Sequence, residues 1–265
     1  MIEKDITIIT TLYKTPKKQL KNLKQYKQFK LEIFDQEGDD DTYENIKKIL
    51  PTNIFKYYNS KKNIGLSKST NFLFYKVKTK FCLFTQADVK IDYNSIKKLY
   101  NVINKNNSII LVSPNHSLIK KNKKIEITKD IDFSCLLIDV KKMKKIGFFD
   151  KDFFLYWEDI FLKRKINNSI YKMAIVNNAF AIHNSSQSSI NNLSTLFIRE
   201  KNFLYGELLY DLKTKKLRNV KIIRKLVQNI ILFFFNIFTF QLQVVVKNFA
   251  RIVGVLKFLV FITKH

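Results

Sequence analysis

Between residues 6 and 113 the chain alternates five short β-branched or aromatic runs with four longer amphipathic stretches, and this alternation confines it to few architectures. Runs at 6–12, 31–34, 53–58, 81–85 and 108–113 read as strands, and 16–26, 43–50, 66–77 and 93–103 as helices. Such an order predicts an α/β fold: a Rossmann-like, mostly parallel central sheet with helices on both faces. Sheets of that kind bind ligands beyond the carboxyl ends of their strands, so the residues just after each run are candidates for chemistry. At the end of the first run stand Thr11, Leu12 and Tyr13, after the second Asp35, and after the fourth Gln86, Ala87 and Asp88. An aromatic there could stack on a base, one acid could accept a hydrogen bond from a base imino group, and another could hold a divalent cation bridging phosphates. Each alone reads equally as a turn residue or helix cap. Their joint placement on one edge is what makes them informative.

Past residue 113 the alternation loosens. Residues 122–124 read as a turn between short strands, 131–138 as a buried strand, 140–146 as a helix, and 171–182 as a strand ending at His183, before the Ser/Asn-rich loop 184–192. A lone His after a strand is ordinarily a structural or surface residue; here Asp88 and the pair Glu158/Asp159 are candidate partners. That pair lies in the segment FDKDFFLYWEDIFLKR, residues 149–164. It opens a helix carrying Ile160, Phe161, Leu162 and Ile166, in the turn where unsatisfied N–H groups and the helix dipole favour anions. A carboxylate half shielded by Phe153, Phe154, Tyr156 and Trp157 can act as a general base. The plainer reading is an acidic first turn that stabilises its helix.

At 265 residues and 46% hydrophobic the chain can bury a sizeable core, and only 5 Gly and 3 Pro argue against disorder. A net charge of +26 invites a polyanion as partner. The excess is mainly Lys spread along the chain, with no zinc-ligand spacing, no helix-turn-helix pattern and no basic stripe interleaved with aromatics outside the tail, so no nucleic-acid partner is expected. Cys82 and Cys135 sit in apolar runs and read as buried core thiols of a reducing compartment. The start, MIEKDITIITT, places acids before a short apolar run and predicts no signal peptide.

Taken in order, these segments resemble family 2 glycosyltransferases of the GT-A fold, in particular the rhamnosyltransferase-like branch, over roughly residues 5–210. ITIITTLYKTP resembles the family's first strand and nucleotide-contacting turn, and IFDQEGDD the segment whose Asp meets the base. Asn63 to Asn71, NIGLSKSTN, resembles the loop beside the nucleotide sugar, and CLFTQAD stands where the family carries its Asp-x-Asp or Asn-Pro-Asp metal element. GFFDKDFFLYWEDIFLKR is similar to the signature Gly-Phe-Asp-x-x-Phe-Phe-x-x-x-Glu-Asp, and His183 matches the late His that completes the metal site in several members. One departure is plain: Gln86 and Ala87 replace the first acid or amide and the common Pro, leaving Asp88 as the only anionic ligand there.

The resemblance implies an inverting transfer from a UDP- or dTDP-linked sugar to a hydroxyl of a glycan or lipid-linked acceptor in cell-surface polysaccharide synthesis. It implies Asp159 as base supported by Glu158, and Mg2+ or Mn2+ on Asp88 and His183 with Gln86 assisting. The donor would meet Thr11, Tyr13, Asp35, Asn63 and Gly65, and the acceptor a wall including Tyr156 and Trp157. Lys68 is a candidate phosphate or sugar contact, though in so Lys-rich a chain it reads first as a solvated surface lysine, and Arg164 reads as pairing with a carboxylate to steady its helix. A catalytically degenerate binding subunit is the main rival reading, motivated by Gln86, and a basic nucleic-acid-binding protein, motivated by the net charge of +26, is the less favoured one. Paired carboxylates of a glycoside hydrolase are excluded, because adjacent residues cannot flank one bond from opposite faces.

After Asp211 no acid occurs, residues 213–225 hold seven basic residues, and 226–246 run uncharged for 21 residues. Asn229, Asn236 and Gln243 recur every seven residues as a polar seam that disfavours a transmembrane span. The expectation is a catalytic domain at 1–211, with a nucleotide-sugar half at 1–115 and an acceptor half at 116–211. Residues 212–265 follow as basic, amphipathic helices that associate with an anionic membrane surface through 213–262. That places the protein in the cytoplasm, peripheral at the inner face of the cell membrane. Packing of the helix pair on the catalytic domain or on a second subunit is the alternative.

Overall fold

The computed structural model describes residues 2–117, 122–184 and 187–264. The segment 114–135 and the loop 184–192 are therefore described except for residues 118–121 and 185–186. The chain divides into two compact units, one of residues 1–150 and 162–190, the other of residues 151–161 and 191–265.

The first unit contains β1 (Ile6–Tyr13), α1 (Lys17–Leu20), β2 (Lys30–Gln36), α2 (Asp40–Lys47), β3 (Phe55–Ser60), α3 (Leu66–Lys76), β4 (Phe81–Thr85), β5 (Val89–Ile91) and α4 (Tyr93–Lys105). β6 (Ile109–Asn115), β7 (Ile125–Thr128), β8 (Cys135–Asp139), α5 (Val140–Ile146) and β9 (Lys172–His183) follow, with α6 (Glu158–Asn167) before β9 divided between the units after Phe161. The strands form a sheet of order β3-β2-β1-β4-β8-β6-β9-β5, with β7 beside β9. β1 and β4 are its centre: Ile6, Ile8, Ile9, Phe81, Cys82 and Leu83 are fully buried because both faces are covered, which is why these strands read as continuous apolar runs. Cys82 and Cys135 are free and buried.

The expectation of a mostly parallel sheet needs correction. β3, β2, β1 and β4 are mutually parallel, but β8 runs antiparallel to both β4 and β6, and β5 and β7 run antiparallel to β9. Parallel pairing needs a crossover, usually a helix, whereas the residues described between β6 and β8 form only β7 and irregular segments. The fold is a mixed α/β sheet with flanking helices. Smaller differences have local causes. Helix 43–50 begins earlier, as α2, because Asp39 caps it by accepting from the Thr42 N–H. The stretch 16–26 forms one α turn and then a 3-10 helix, Lys21–Tyr26, and the strand read at 131–138 begins only at Cys135.

The second unit carries α7 (Leu193–Lys213), α8 (Asn219–Phe238) and α9 (Leu242–Thr263). Asn192 and Thr195 close α7 with a reciprocal capping box. α7 meets α9 closely at Gly254, where any side chain would collide with the Lys201 carbonyl. The uncharged run breaks at residues 239–241, so it forms parts of two helices, and among the described residues no helix is long and apolar enough to cross a membrane. The polar seam divides: Asn229 and Asn236 are buried, while Gln243 is exposed beyond the break.

Candidate functional site

In the first unit the sequence-derived residues gather at the carboxyl ends of β1, β2 and β4. Thr11 Oγ1 lies 3.3 Å from Thr70 Oγ1 on α3, and the half-buried Tyr13 keeps its hydroxyl buried without a hydrogen-bond partner. Lys14 after it adopts φ 46°, and its ammonium pairs with Glu37 at 3.3 Å. Asp35 is buried, and the Tyr57 hydroxyl donates to its Oδ2 at 2.8 Å. Burial raises the Asp35 pKa to about 6, against the lowering effect of that hydrogen bond. Gly38 closes over this carboxyl group so tightly that a Cβ there would stand 2.7 Å from Asp35 Cγ and from the Tyr57 hydroxyl.

The loop from Asn63 is held by Gln36, a residue outside the sequence-derived set. Gln36 Oε1 accepts from the N–H groups of Ile64, at 3.0 Å, and Gly65, at 2.8 Å; Asn63 Oδ1 also accepts from Gly65. Gly65 takes φ 90°, a region open to glycine, and begins α3. Gln36 follows Asp35 at the end of β2, so its strand-end position was the available signal. At the far side of α3, Asn71 makes a two-way amide clamp with the Phe149 backbone, fixing the start of the aromatic segment. Lys68 is exposed, as read.

At β4 the chain turns through Gln86, whose N–H donates to the Ser134 carbonyl, into a fully buried Asp88. Asp88 Oδ2 accepts from the Gln187 N–H, whereas Oδ1 is buried with no hydrogen-bond partner and lies 3.6 Å from His183 Nε2. The structure thus brings together the two residues expected to share a cation. Beside them stands His116, whose ring centre is 6.3 Å from that of His183 and whose Nε2 is 3.9 Å from Asp132 Oδ1. Burial lowers the His116 pKa and favours its neutral imidazole. His116 is one of only three histidines, but it lies past residue 113, where the strand-end reading stopped. Among the described residues no group of three or more His, Cys, Asp or Glu is arranged to hold a metal. The donors present are one unpartnered carboxylate oxygen, the ligand type Mg2+ and Mn2+ prefer, and one imidazole, a softer ligand, a set that leaves places for phosphate and water.

The second unit holds the acidic pair. Tyr156 and Trp157, immediately before it, have φ of 67° and 72°, a left-handed conformation costing a non-glycine residue about 1–3 kcal/mol. The strain is held by packing: Trp157 lies against Tyr210 at 5.4 Å and Phe203 at 5.8 Å, and Gly206 lets α7 approach until a Cβ would be 2.8 Å from Trp157 Cδ1. This abrupt turn starts α6 with Glu158 buried and Asp159 half-exposed. Burial, and next the neighbouring Asp159, raise the Glu158 pKa to about 8, and its Oε2 has no partner. At neutral pH Glu158 is therefore a protonated acid, and of the pair only Asp159 has the exposure a base requires. Gly206, distant in sequence, carried no signal in a single chain.

One helix expectation fails. Arg164 is exposed and makes no ion pair among the described residues; its neighbours do the steadying, Lys163 with Asp130 at 2.7 Å and Lys165 with the carbonyls of Gly147 and Phe148. At α-helical spacing the outward position fell to residue 164 and the flanking ones to partners.

Residues 10–164 match the family model described as Glycosyl transferase family 2. Among solved structures, the chain is similar to a Pyrobaculum calidifontis mannosyltransferase in complex with GDP-Man and Mn2+, at 11% identity over 79% of this chain and 64% of that one, TM-score 0.54. It is also similar to S. aureus TarS in complex with UDP, at 13% identity over 77% and 65%, TM-score 0.51. A third similar structure is GalNAc-T7 with UDP, GalNAc and Mn2+, at 13% identity over 77% and 47%, TM-score 0.52. The chain spans less than two thirds of the length of each, and at these identities the likeness is one of fold, GT-A-like. A search of curated proteins found no match.

Proposed function

Because the chain belongs to glycosyl transferase family 2, we propose that it moves a sugar, with inversion, from a UDP- or dTDP-linked donor to a hydroxyl of a glycan or lipid-linked acceptor. Asp159 accepts the proton of that hydroxyl while its oxygen bonds to the anomeric carbon and the bond to the diphosphate breaks. General bases contribute about 10²- to 10⁴-fold. Glu158, neutral and buried beneath it, positions the turn and stays out of proton transfer at pH 7. Tyr156 and Trp157 form part of an acceptor wall. Thr11, Tyr13 and Asp35 hold the base, while Asn63 and Gln36 shape the Gly65 backbone that approaches the diphosphate. A divalent cation, Mg2+ or Mn2+, would neutralise charge on the departing diphosphate. Asp88 and His183 would hold it, with Gln86 alongside.

The observation that supports this most is the buried, unpartnered Asp88 Oδ1 beside His183 Nε2. A buried carboxylate oxygen left without a donor is costly unless a ligand completes it. The test is calorimetric titration of UDP and dTDP with and without Mn2+. Wild type should bind one of them more tightly with Mn2+, and Asp88→Ala should lose that enhancement; an enhancement unchanged by Asp88→Ala would overturn the assignment. A rhamnosyl donor and a role in surface polysaccharide synthesis rest on the signature at residues 147–159. Gln86 in the metal element, with the two-residue ligand set, favours a second reading, a binding subunit without turnover. Donor binding with no transfer or hydrolysis would support it.

A further inference from the structure

α8 is apolar on both its buried and its exposed face. Its buried face carries Asn229 and Asn236, only 4% and 6% exposed, and their amides donate back to the carbonyls of Lys225 and Leu232, so they are satisfied within the helix itself. At helical spacing the opposite face presents Val220, Ile223, Val227, Ile231, Phe234 and Phe238, all exposed, and Phe240 in the following turn is 92% exposed. A helix that faces water keeps its apolar side chains inward; this one turns an apolar stripe outward in addition to the Ile222, Leu226 and Phe233 of its inner face, where Phe233 lies 5.8 Å from Phe249. The outward stripe is continuous, larger side chains gather toward its C-terminal end, and monomers in water rarely leave such a patch uncovered.

We propose that this face seats on the surface of an anionic lipid bilayer, with the α8–α9 turn at Phe240 as the deepest point and α8 lying along the leaflet. Charge decides between a leaflet and a second copy of the chain. The acids near the tail are already taken: Glu207 by Lys221 and Lys225, Asp211 by Lys221, and Glu200 by Arg251 at 2.7 Å. No acid follows Asp211, whereas Lys215, Lys216, Arg218 and Arg224 are exposed at the N-terminal end of the stripe. A second copy seated on this face would offer those cations no acid of its own tail as counter-charge. An anionic leaflet supplies that charge, and its hydrocarbon receives the stripe. The proposal is independent of the sugar-transfer reading.

The experiment is flotation of the full-length chain with vesicles of phosphatidylcholine alone or of equal parts phosphatidylcholine and phosphatidylglycerol, together with light scattering in the absence of lipid. Wild type should float with the mixed vesicles and weakly with the neutral ones. Neutralising two cations, Lys215→Gln with Lys216→Gln, should weaken partition to the mixed vesicles about 25-fold, since each basic residue near such a leaflet contributes about a factor of five. Ile231→Ser with Phe234→Ser and Phe238→Ser should abolish flotation while leaving urea unfolding of the rest of the unit, read at Trp157, in place. Wild type that fails to float with mixed vesicles overturns the proposal. A dimer in light scattering that the triple substitution dissolves, with no flotation, assigns the face to a second copy instead.

Discussion

Glu158→Gln is the perturbation whose size the structure dictates most directly. The carboxyl group is 5% exposed, and its pKa rises from 4.5 to about 8, first through burial and then through Asp159. In the unfolded chain it ionises near 4.5, and in the folded chain it holds its proton until about 8, so the native state binds the extra proton between those values. Stability therefore falls as pH rises across that window and levels off above it. At about 1.4 kcal/mol per pH unit, the group is neutral in effect below pH 4.5, costs about 3 kcal/mol at pH 7, and costs about 5 kcal/mol above pH 8. Glutamine keeps the volume and removes the titration. Urea unfolding followed by the fluorescence of Trp157, the chain's one tryptophan, reads this unit directly. The variant should match wild type near pH 4 and gain steadily to about 3 kcal/mol at pH 7. A difference that does not change with pH, or one that shrinks as pH rises, would refute the burial argument.

Two further substitutions follow from close contacts. Gly206→Ala places a Cβ 2.8 Å from Trp157 Cδ1, where about 3.5–4.0 Å is comfortable, so the strained turn before Asp159 must move. Overpacking of this kind costs about 1–3 kcal/mol, and transfer should drop on the order of 10²-fold with nucleotide affinity intact; unaltered kcat would show that the turn does not position the base. Tyr57→Phe removes the donor that lowers the Asp35 pKa, so the midpoint, about 6 in wild type, should move up. If ionised Asp35 meets the base, nucleotide binding weakens as pH falls through that midpoint, earlier in the variant, and a pH-independent Kd in both would remove Asp35 from the donor site.

Much of the site was legible because strand ends announce themselves locally. β1, β4 and α3 lie within a residue or so of where periodicity put them, and Asp88 and His183, distant in sequence, meet at 3.6 Å. What was not legible depends on non-local packing. The antiparallel β8 has the same buried apolar run whichever way its neighbours point, so its direction could not be read from CLLID. Gln36, His116 and Gly206 act through partners 16 to 67 residues away. Likewise the seven-residue repeat of Asn229 and Asn236 identified a seam, but only the packing of α8 on α9 reveals that the seam faces inward.

Sugar transfer with Asp159 as its base is tested most directly by one measurement. Release of nucleoside diphosphate is followed over a panel of UDP-, dTDP- and GDP-linked sugars with Mn2+, for wild type and for Asp159→Asn, with calorimetry of donor binding to both. The account predicts that one donor is turned over by wild type, that Asp159→Asn binds the same donor with similar affinity, and that its turnover falls by about 10²-fold or more. Turnover that survives in Asp159→Asn, or a wild type that binds none of these donors, would contradict it.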